Sequence, residues 1–328
     1  VSLQSQAILA GVDAATTVHR MLRTEESAVE RSSPYIDVFG AIDELAVPLY
    51  FAPLDNLLGA CIREHGPAVG IVVTSRRRLH IQRFTAAHEL GHFVLEHEGS
   101  LDREILTPWS SRKDPRETAA DSFAAEFLIP NWLLTMVAQQ HAWWDSSRLS
   151  DPGTVYQLSL RLGASYSATC WALGAHSILP VPTAAELSKV PPRKLKKELL
   201  PSGFEPPHGW ADVWKITDRD HGRKIMASPE DILVLDLAES AAAGYLWEVD
   251  DSNVPVVRIV HDHSAIDFDR IGAATRRHLL LEISERSPDS RIALRHHRAF
   301  DKSDSLGSLS LIACTSGAHP EGEFRGSN

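Results

Sequence analysis

Proline recurs from Pro180 to Pro207 in PVPTAAELSKVPPRKLKKELLPSGFEPPHG. Each proline removes a backbone donor and fixes φ, so no long helix or central strand can run through the stretch. The chain must fold as separate parts on either side of it. We expect a first domain at 1–179, a linker at 180–210 holding one short basic helix, and a second domain at 211–328. Roughly the last twelve residues, GEFRGSN and those before them, are expected to be disordered. A length of 328 residues suits two domains.

The two parts differ in their hydrophobic period. Residues 1–30 read as helical, and FGAIDELA and VPLYFAP read as a short helix and a strand. GIVVTS (70–75) is a β-strand, Arg77 to His97 a long Pro-free helix, and Glu117 to Leu128 a helix stopped by Pro130. Val155–Leu162 and Tyr166–Leu173 form a helix pair broken at Gly163. Beyond Trp210 the runs DILVLDL, LWEV, PVVRIV, HLLLEI, RIALR and SLSLIA are short strands between Gly, Pro, Asp and Ser loops. They suggest an antiparallel β-sandwich, and the chain as a whole is α+β.

Charge narrows the function. The net charge is −10, and the basic clusters Arg76–Arg78 and Arg193–Lys197 are short, so no direct contact with nucleic acid is expected. Cys61, Cys170 and Cys314 are widely spaced and odd in number, and read as reduced thiols of a cytoplasmic protein. The first twenty residues lack the pattern of a signal peptide, and no apolar run is long enough for a membrane span.

The helix over Arg77–His97 carries AAHELGHFVLEHEG. His88 and His92 lie one turn apart on one face, able to share one ion, and Glu89 is placed to act as a general base. This HExxH pattern is the signature of a zinc pair plus a base. Zinc needs a third protein ligand. Glu96 lies roughly 12 Å from His88 along a straight helix, too far for bonds of about 2 Å. Leu95 and Glu98 stand where the metzincin pattern needs Gly and His, so that subclass is excluded. The next helix, ETAADSFAAEFLIP, carries Glu117 and Asp121 within about 40° of each other on its packed side. Buried carboxylates need partners. Glu117 is therefore assigned as third ligand and Asp121 as the carboxylate orienting a histidine ring, while Glu126 faces solvent.

These two segments resemble the ImmA/IrrE-type zinc metallopeptidases, whose members show "FTLAHELGH" and a Glu-containing helix ending in "FAAELLMP". Here Arg83-Phe84-Thr85 precedes the motif and Phe123-Ala124-Ala125-Glu126 precedes Ile129-Pro130. Asp121 stands where the family usually has Asn. The resemblance covers roughly residues 20–175 and implies a cytoplasmic zincin-like fold that binds Zn2+. It implies metal-assisted hydrolysis in which Glu89 passes a proton from the attacking water to the leaving amine. It also implies a protein substrate, a helix-turn-helix repressor in characterised members. Tyr156, Tyr166 and His141 are candidates for the oxyanion stabiliser.

Two further resemblances bear on function. YQLSLRLGASYSATCWALG (156–174) is similar to a helix-turn-helix unit, but its second helix lacks Arg, Lys, Asn or Gln to read bases. It is expected to complete the peptidase domain. The segments AESAAAGYLWEV, DRIGAATRRHLLLEI and LRHHRAFD resemble the three loop motifs of chagasin-like cysteine-peptidase inhibitors. Gly244, Tyr245, Trp247, Gly272, Arg298 and Phe300 occupy the matching positions over about 211–315. That resemblance implies an immunoglobulin-like sandwich, read here as a recognition or sensing module. His261 with His263, and His296 with His297, read as ordinary strand histidines, and His97 lies off the ligand stripe. The expectation is a zinc endopeptidase acting on a protein such as a helix-turn-helix regulator. The alternative is an inactive peptidase scaffold that binds a partner protein.

Overall fold

The first thirty residues give two helices, α1 (Leu3–Leu22) and α2 (Thr24–Glu30), because Arg23 takes a left-handed conformation between them. The structure is a computed structural model that describes residues 2–30, 34–63, 68–97, 100–102, 114–250, 256–265, 275–284, 290–313 and 324–325. α3 (Val38–Glu44) starts at Asp37, whose carboxylate accepts from the Gly40 N–H and satisfies one of the free amides at the helix start. Strands β1 (Leu49–Ala52), β2 (Gly59–Arg63) and β3 (Ala68–Thr74) lead into α4 (Leu79–Val94), followed by β4 (Ser100–Asp102). α5 (Pro115–Leu128) opens on the Asp114 cap with proline in its first turn, where a missing N–H does no harm. Then come α6 (Asn131–Gln140), α7 (Ser146–Leu149), α8 (Pro152–Leu162), α9 (Tyr166–Ala175), α10 (Val181–Ser188) and α11 (Pro192–Leu199). The Pro-rich stretch thus holds a second helix besides the basic one.

The remaining strands are β5 (Val213–Ile216), β6 (Arg223–Ile225), β7 (Ile232–Glu239), β8 (Tyr245–Val249), β9 (Val257–Ala265), β10 (Thr275–Ile283), β11 (Ser290–Arg298), β12 (Asp301–Ala313) and β13 (Phe324–Arg325). The chain forms two compact units. One holds residues 1–137, 162–185 and 317–328, and the other holds 138–161 and 186–316.

In the first unit the sheet order is β13-β1-β3-β2-β4, with β1 and β3 parallel and the other pairs antiparallel. β13 pairs with Leu49 and Tyr50 of β1, whose outer edge would otherwise leave backbone groups unpaired. The helical core joins α1, α4 and α5 through Ala15, Val18, Leu90, Phe123 and Phe127. Gly91 in α4 is what lets α5 come so close. A Cβ there would stand 3.1 Å from Phe123 Cβ and 3.2 Å from the Cα of Ala120.

In the second unit two four-stranded sheets, β5-β7-β10-β9 and β6-β12-β11-β8, share one core. Alternate residues of β7, β10, β11 and β12 point into it, among them Leu235, Leu281, Leu294 and Leu311. The sandwich is not wholly antiparallel. β5 runs parallel to β7, and β6 parallel to β12. The chain passes from β5 into the other sheet as β6 before returning as β7, so β5 and β7 point the same way.

Residues 138–161 join this second unit through polar side chains of α8. Gln157 bridges β5, donating to the Val213 carbonyl (2.8 Å) and accepting from the Lys215 N–H (2.7 Å). The Arg161 guanidinium is 2% exposed in its side chain and grips Asp220, itself 1% exposed, at 2.8 and 3.0 Å. Trp143 covers the guanidinium, 5.1 Å from ring centroid to Cζ.

Candidate metal centre

The phase of α4 puts His88 and His92 on one buried face, and Gly91 brings α5 across from it. The result is three converging donors. Nε2 of His88 lies 3.0 Å from Nε2 of His92. Glu117 offers Oε2 at 3.4 Å from His88 and Oε1 at 3.6 Å from His92. Four ligands at about 2.1 Å around one tetrahedral ion stand roughly 3.4 Å apart, so this spacing suits a single small cation. Among the described residues no other trio of His, Cys, Asp and Glu converges in this way. The donor set of two imidazoles and one carboxylate leaves a fourth tetrahedral position open.

The surroundings orient these donors. His88 donates from Nδ1 to Asp121 Oδ1 at 2.9 Å, which turns Nε2 toward His92 and Glu117. Burial alone would strip the proton from His88. The hydrogen bonds to Asp121 and Glu117 outweigh it and raise the pKa to about 10. The same bonds from His88 and His92 hold the Glu117 carboxyl far below the usual range. Glu89 is fully buried, on the face of α4 turned to β2. A Cβ added at Gly59 would come within 3.2 Å of its Cγ.

One residue expected off the ligand stripe lies against a member of the cluster. His97 lies with Nδ1 3.0 Å from Nδ1 of His92. Burial, with the adjacent His92, pulls the His97 pKa down to about 4. Glu126 also differs from expectation: it is half-buried, 3.8 Å from His176, because α5 packs on α9. Burial raises its carboxyl pKa.

Of the three oxyanion candidates, Tyr156 and His141 are engaged elsewhere. In the second unit, Tyr156 donates to Asp212 (2.9 Å) and accepts from the Val213 N–H (3.1 Å). Burial and Asp212 push its phenol well above the ordinary value. His141 accepts from Arg161 at 3.2 Å and stacks on Trp143. Tyr166 is buried in the first unit.

Of the sandwich loop positions, Gly244, Tyr245, Arg298 and Phe300 gather at one turn. Gly244 has φ 83°, the left-handed conformation that favours glycine, and hands the chain into β8. The Tyr245 hydroxyl donates to Asp304 at 2.9 Å, and Arg298 lies over the Tyr245 ring at 4.9 Å and the Phe300 ring at 5.7 Å. Phe300 is 78% exposed. Trp247 stacks on His296 instead, with ring centroids 4.8 Å apart. Gly272 lies outside the described residues. His261 packs on Phe204, and His297 pairs with Glu248 at 2.8 Å.

Residues 42–173 match the family model Peptidase_M78, described as the IrrE N-terminal-like domain. This part of the chain is similar to that domain. The family is one of metallopeptidases, and the matched segment contains all of His88, Glu89, His92, Glu117 and Asp121. No curated protein matches the chain. Solved structures similar to the C-terminal part include the cysteine protease inhibitor EhICP2 from Entamoeba histolytica, at 16% identity, covering 33% of this chain and 100% of that one, with a TM-score of 0.29. Amebosin is similar at 17% identity, covering 31% and 96%, with a TM-score of 0.24. PbICP-C, solved in complex with falcipain-2, is similar at 14% identity, covering 32% and 98%, with a TM-score of 0.24. No described helix is long and apolar enough to cross a membrane.

Proposed function

We propose that the protein is a zinc-dependent endopeptidase. The observation that carries the reading is the convergence of His88, His92 and Glu117 beside the buried Glu89. Two imidazoles and a carboxylate suit zinc in a hydrolytic site better than the all-oxygen shells of magnesium or calcium. When bound, the ion supplies Lewis acidity, polarising a scissile carbonyl and making water a nucleophile near neutral pH. The chain's residues do the rest. Asp121 holds the Nδ1 proton of His88 and so fixes that ring's tautomer. Glu117, kept ionised, neutralises charge at the site. Glu89 accepts a proton from the attacking water on a carboxylate oxygen and delivers it to the leaving amine nitrogen.

We assign the substrate as a cytoplasmic regulatory protein such as a helix-turn-helix repressor, with the sandwich acting in recognition or sensing. What supports a recognition role is the exposed Phe300 held against Arg298 and Tyr245, an aromatic and cationic tip fixed by Asp304. The test is metal content by mass spectrometry of wild type and Glu117→Ala, paired with cleavage of the helix-turn-helix regulator encoded nearest the gene by wild type and Glu89→Gln. About one zinc per chain, weakened in Glu117→Ala, is expected. Cleavage should be lost in Glu89→Gln. No zinc in wild type after loading would overturn the reading, and zinc without cleavage would overturn the assigned substrate.

A further inference from the structure

The C-terminus of α4 is a Schellman motif built around a metal-ligand candidate. Leu95 is the cap and Glu96 follows in the left-handed conformation, φ 55°. The Glu96 N–H bonds the Phe93 carbonyl at 3.2 Å, and the His97 N–H bonds the His92 carbonyl at 3.0 Å. These are the two reversed bonds of the motif, and they stack the side chains of residues five apart, usually two apolar groups. Here the pair brought together is His92 and His97, edge to face. Their ring centroids are 5.0 Å apart, and Nδ1 faces Nδ1 at 3.0 Å.

A neutral imidazole has one donor and one acceptor nitrogen. The Nε2 atom of His92 is turned toward His88 and Glu117, at 3.0 and 3.6 Å. If Nε2 gives its lone pair to an ion, its proton must sit on Nδ1. The atom that receives that proton's hydrogen bond is then Nδ1 of His97, which leaves the His97 proton on Nε2. The two ligand histidines are thus backed differently. His88 leans on a carboxylate, His92 on another imidazole delivered by a helix cap.

We infer that His97 is a positioning residue for His92, accepting its Nδ1–H and fixing the tautomer that presents Nε2 to the metal. The inference rests on the zinc reading above. It makes the acceptor atom, and not the bulk of the ring, the feature that matters.

The test uses the full chain with His97→Asn, His97→Leu and His88→Ala. The Oδ1 of asparagine can stand where Nδ1 stood, whereas leucine fills space without an acceptor. Zinc affinity is measured by competition with a chelator, and the ligand field by the visible spectrum of the cobalt-substituted protein. Loss of such a hydrogen-bond partner weakens metal binding about 10- to 100-fold, so His97→Leu should fall in that range with a changed cobalt spectrum. His97→Asn should stay near wild type in both. Equal affinity and unchanged spectra in His97→Leu would overturn the inference. So would a loss in His97→Asn as large as in His97→Leu, or a lowered metal-free Tm in His97→Leu with zinc affinity unchanged. Failure of the underlying zinc reading looks different: wild type itself binds no zinc, or His88→Ala binds as wild type does, and both readings then fall.

Discussion

Raising the pH from about 7 to 9 with metal chelated should destabilise the protein through one group, His88. Its pKa is 6.5 in an unfolded chain and about 10 in the fold. The stability contributed by that proton is complete below pH 6.5 and is lost as pH rises toward 10. Each pH unit within the window removes about 1.4 kcal/mol, so roughly 2.7 kcal/mol should go between pH 7 and 9. Other shifted groups act mainly outside this range. His19 and His97, held down to about 4, are neutral in the fold throughout it, and in the unfolded chain they titrate mainly below pH 7. Asp231, pushed up to about 7 by burial, is half-titrated at the lower edge and adds only about 0.4 kcal/mol of loss above it, and the Cys170 thiol, pushed up to about 11, begins to matter only near its ordinary value of 9. The assay is urea denaturation at pH 7, 8 and 9 with a chelator, on wild type and Asp121→Asn. The hydrogen bond to Asp121 is the largest of the contributions that raise the His88 pKa, so Asp121→Asn should lower the folded pKa, end the window at a lower pH and shrink the loss between pH 7 and 9. Flat stability across the window in wild type, or an equal loss in Asp121→Asn, would refute the reasoning.

Three further outcomes follow from the packing. Glu89→Gln should keep zinc while lowering cleavage by about 10²- to 10⁴-fold, measured as single-turnover rates, and loss of zinc would give Glu89 a structural role instead. Gly91→Ala sets a methyl 3.1 Å from Phe123 Cβ in a filled interface. It should cost about 1–3 kcal/mol by overpacking and weaken zinc as α5 is pushed back, and chelator competition unchanged from wild type would contradict that coupling. Arg161→Met strands the buried Asp220 and should lower stability by about 3–5 kcal/mol. The double variant with Asp220→Leu should recover most of the loss in thermal melts, and no recovery would mean the packing around Arg161 matters more than its charge.

The chain itself announces what depends on local spacing. Two histidines four residues apart in a Pro-free run must share a helix face, and Glu117 and Asp121 share a face for the same reason. The prolines between 180 and 207 are a local signal as well, but that residues 138–161 group with the second unit and 317–328 with the first is decided by contacts distant in the chain. Other features depend on contacts distant in the chain. β5 and β6 are four and three residues long, too short for alternation to mark them, and exist because β7 and β12 offer them partners. Arg161 and Asp220 are 59 residues apart, and only the folded second unit makes the arginine a buried anchor. Glu126 looks like a solvated residue until α9 brings His176 beside it. His97 shows the boundary most sharply. Its distance from the motif is plain in the sequence, but the left-handed cap that turns it onto His92 is carried by a glutamate, where a glycine would have signalled it. A cap of that kind is set by the hydrogen bonds available when the helix ends, so the tertiary structure decided what the spacing alone left open.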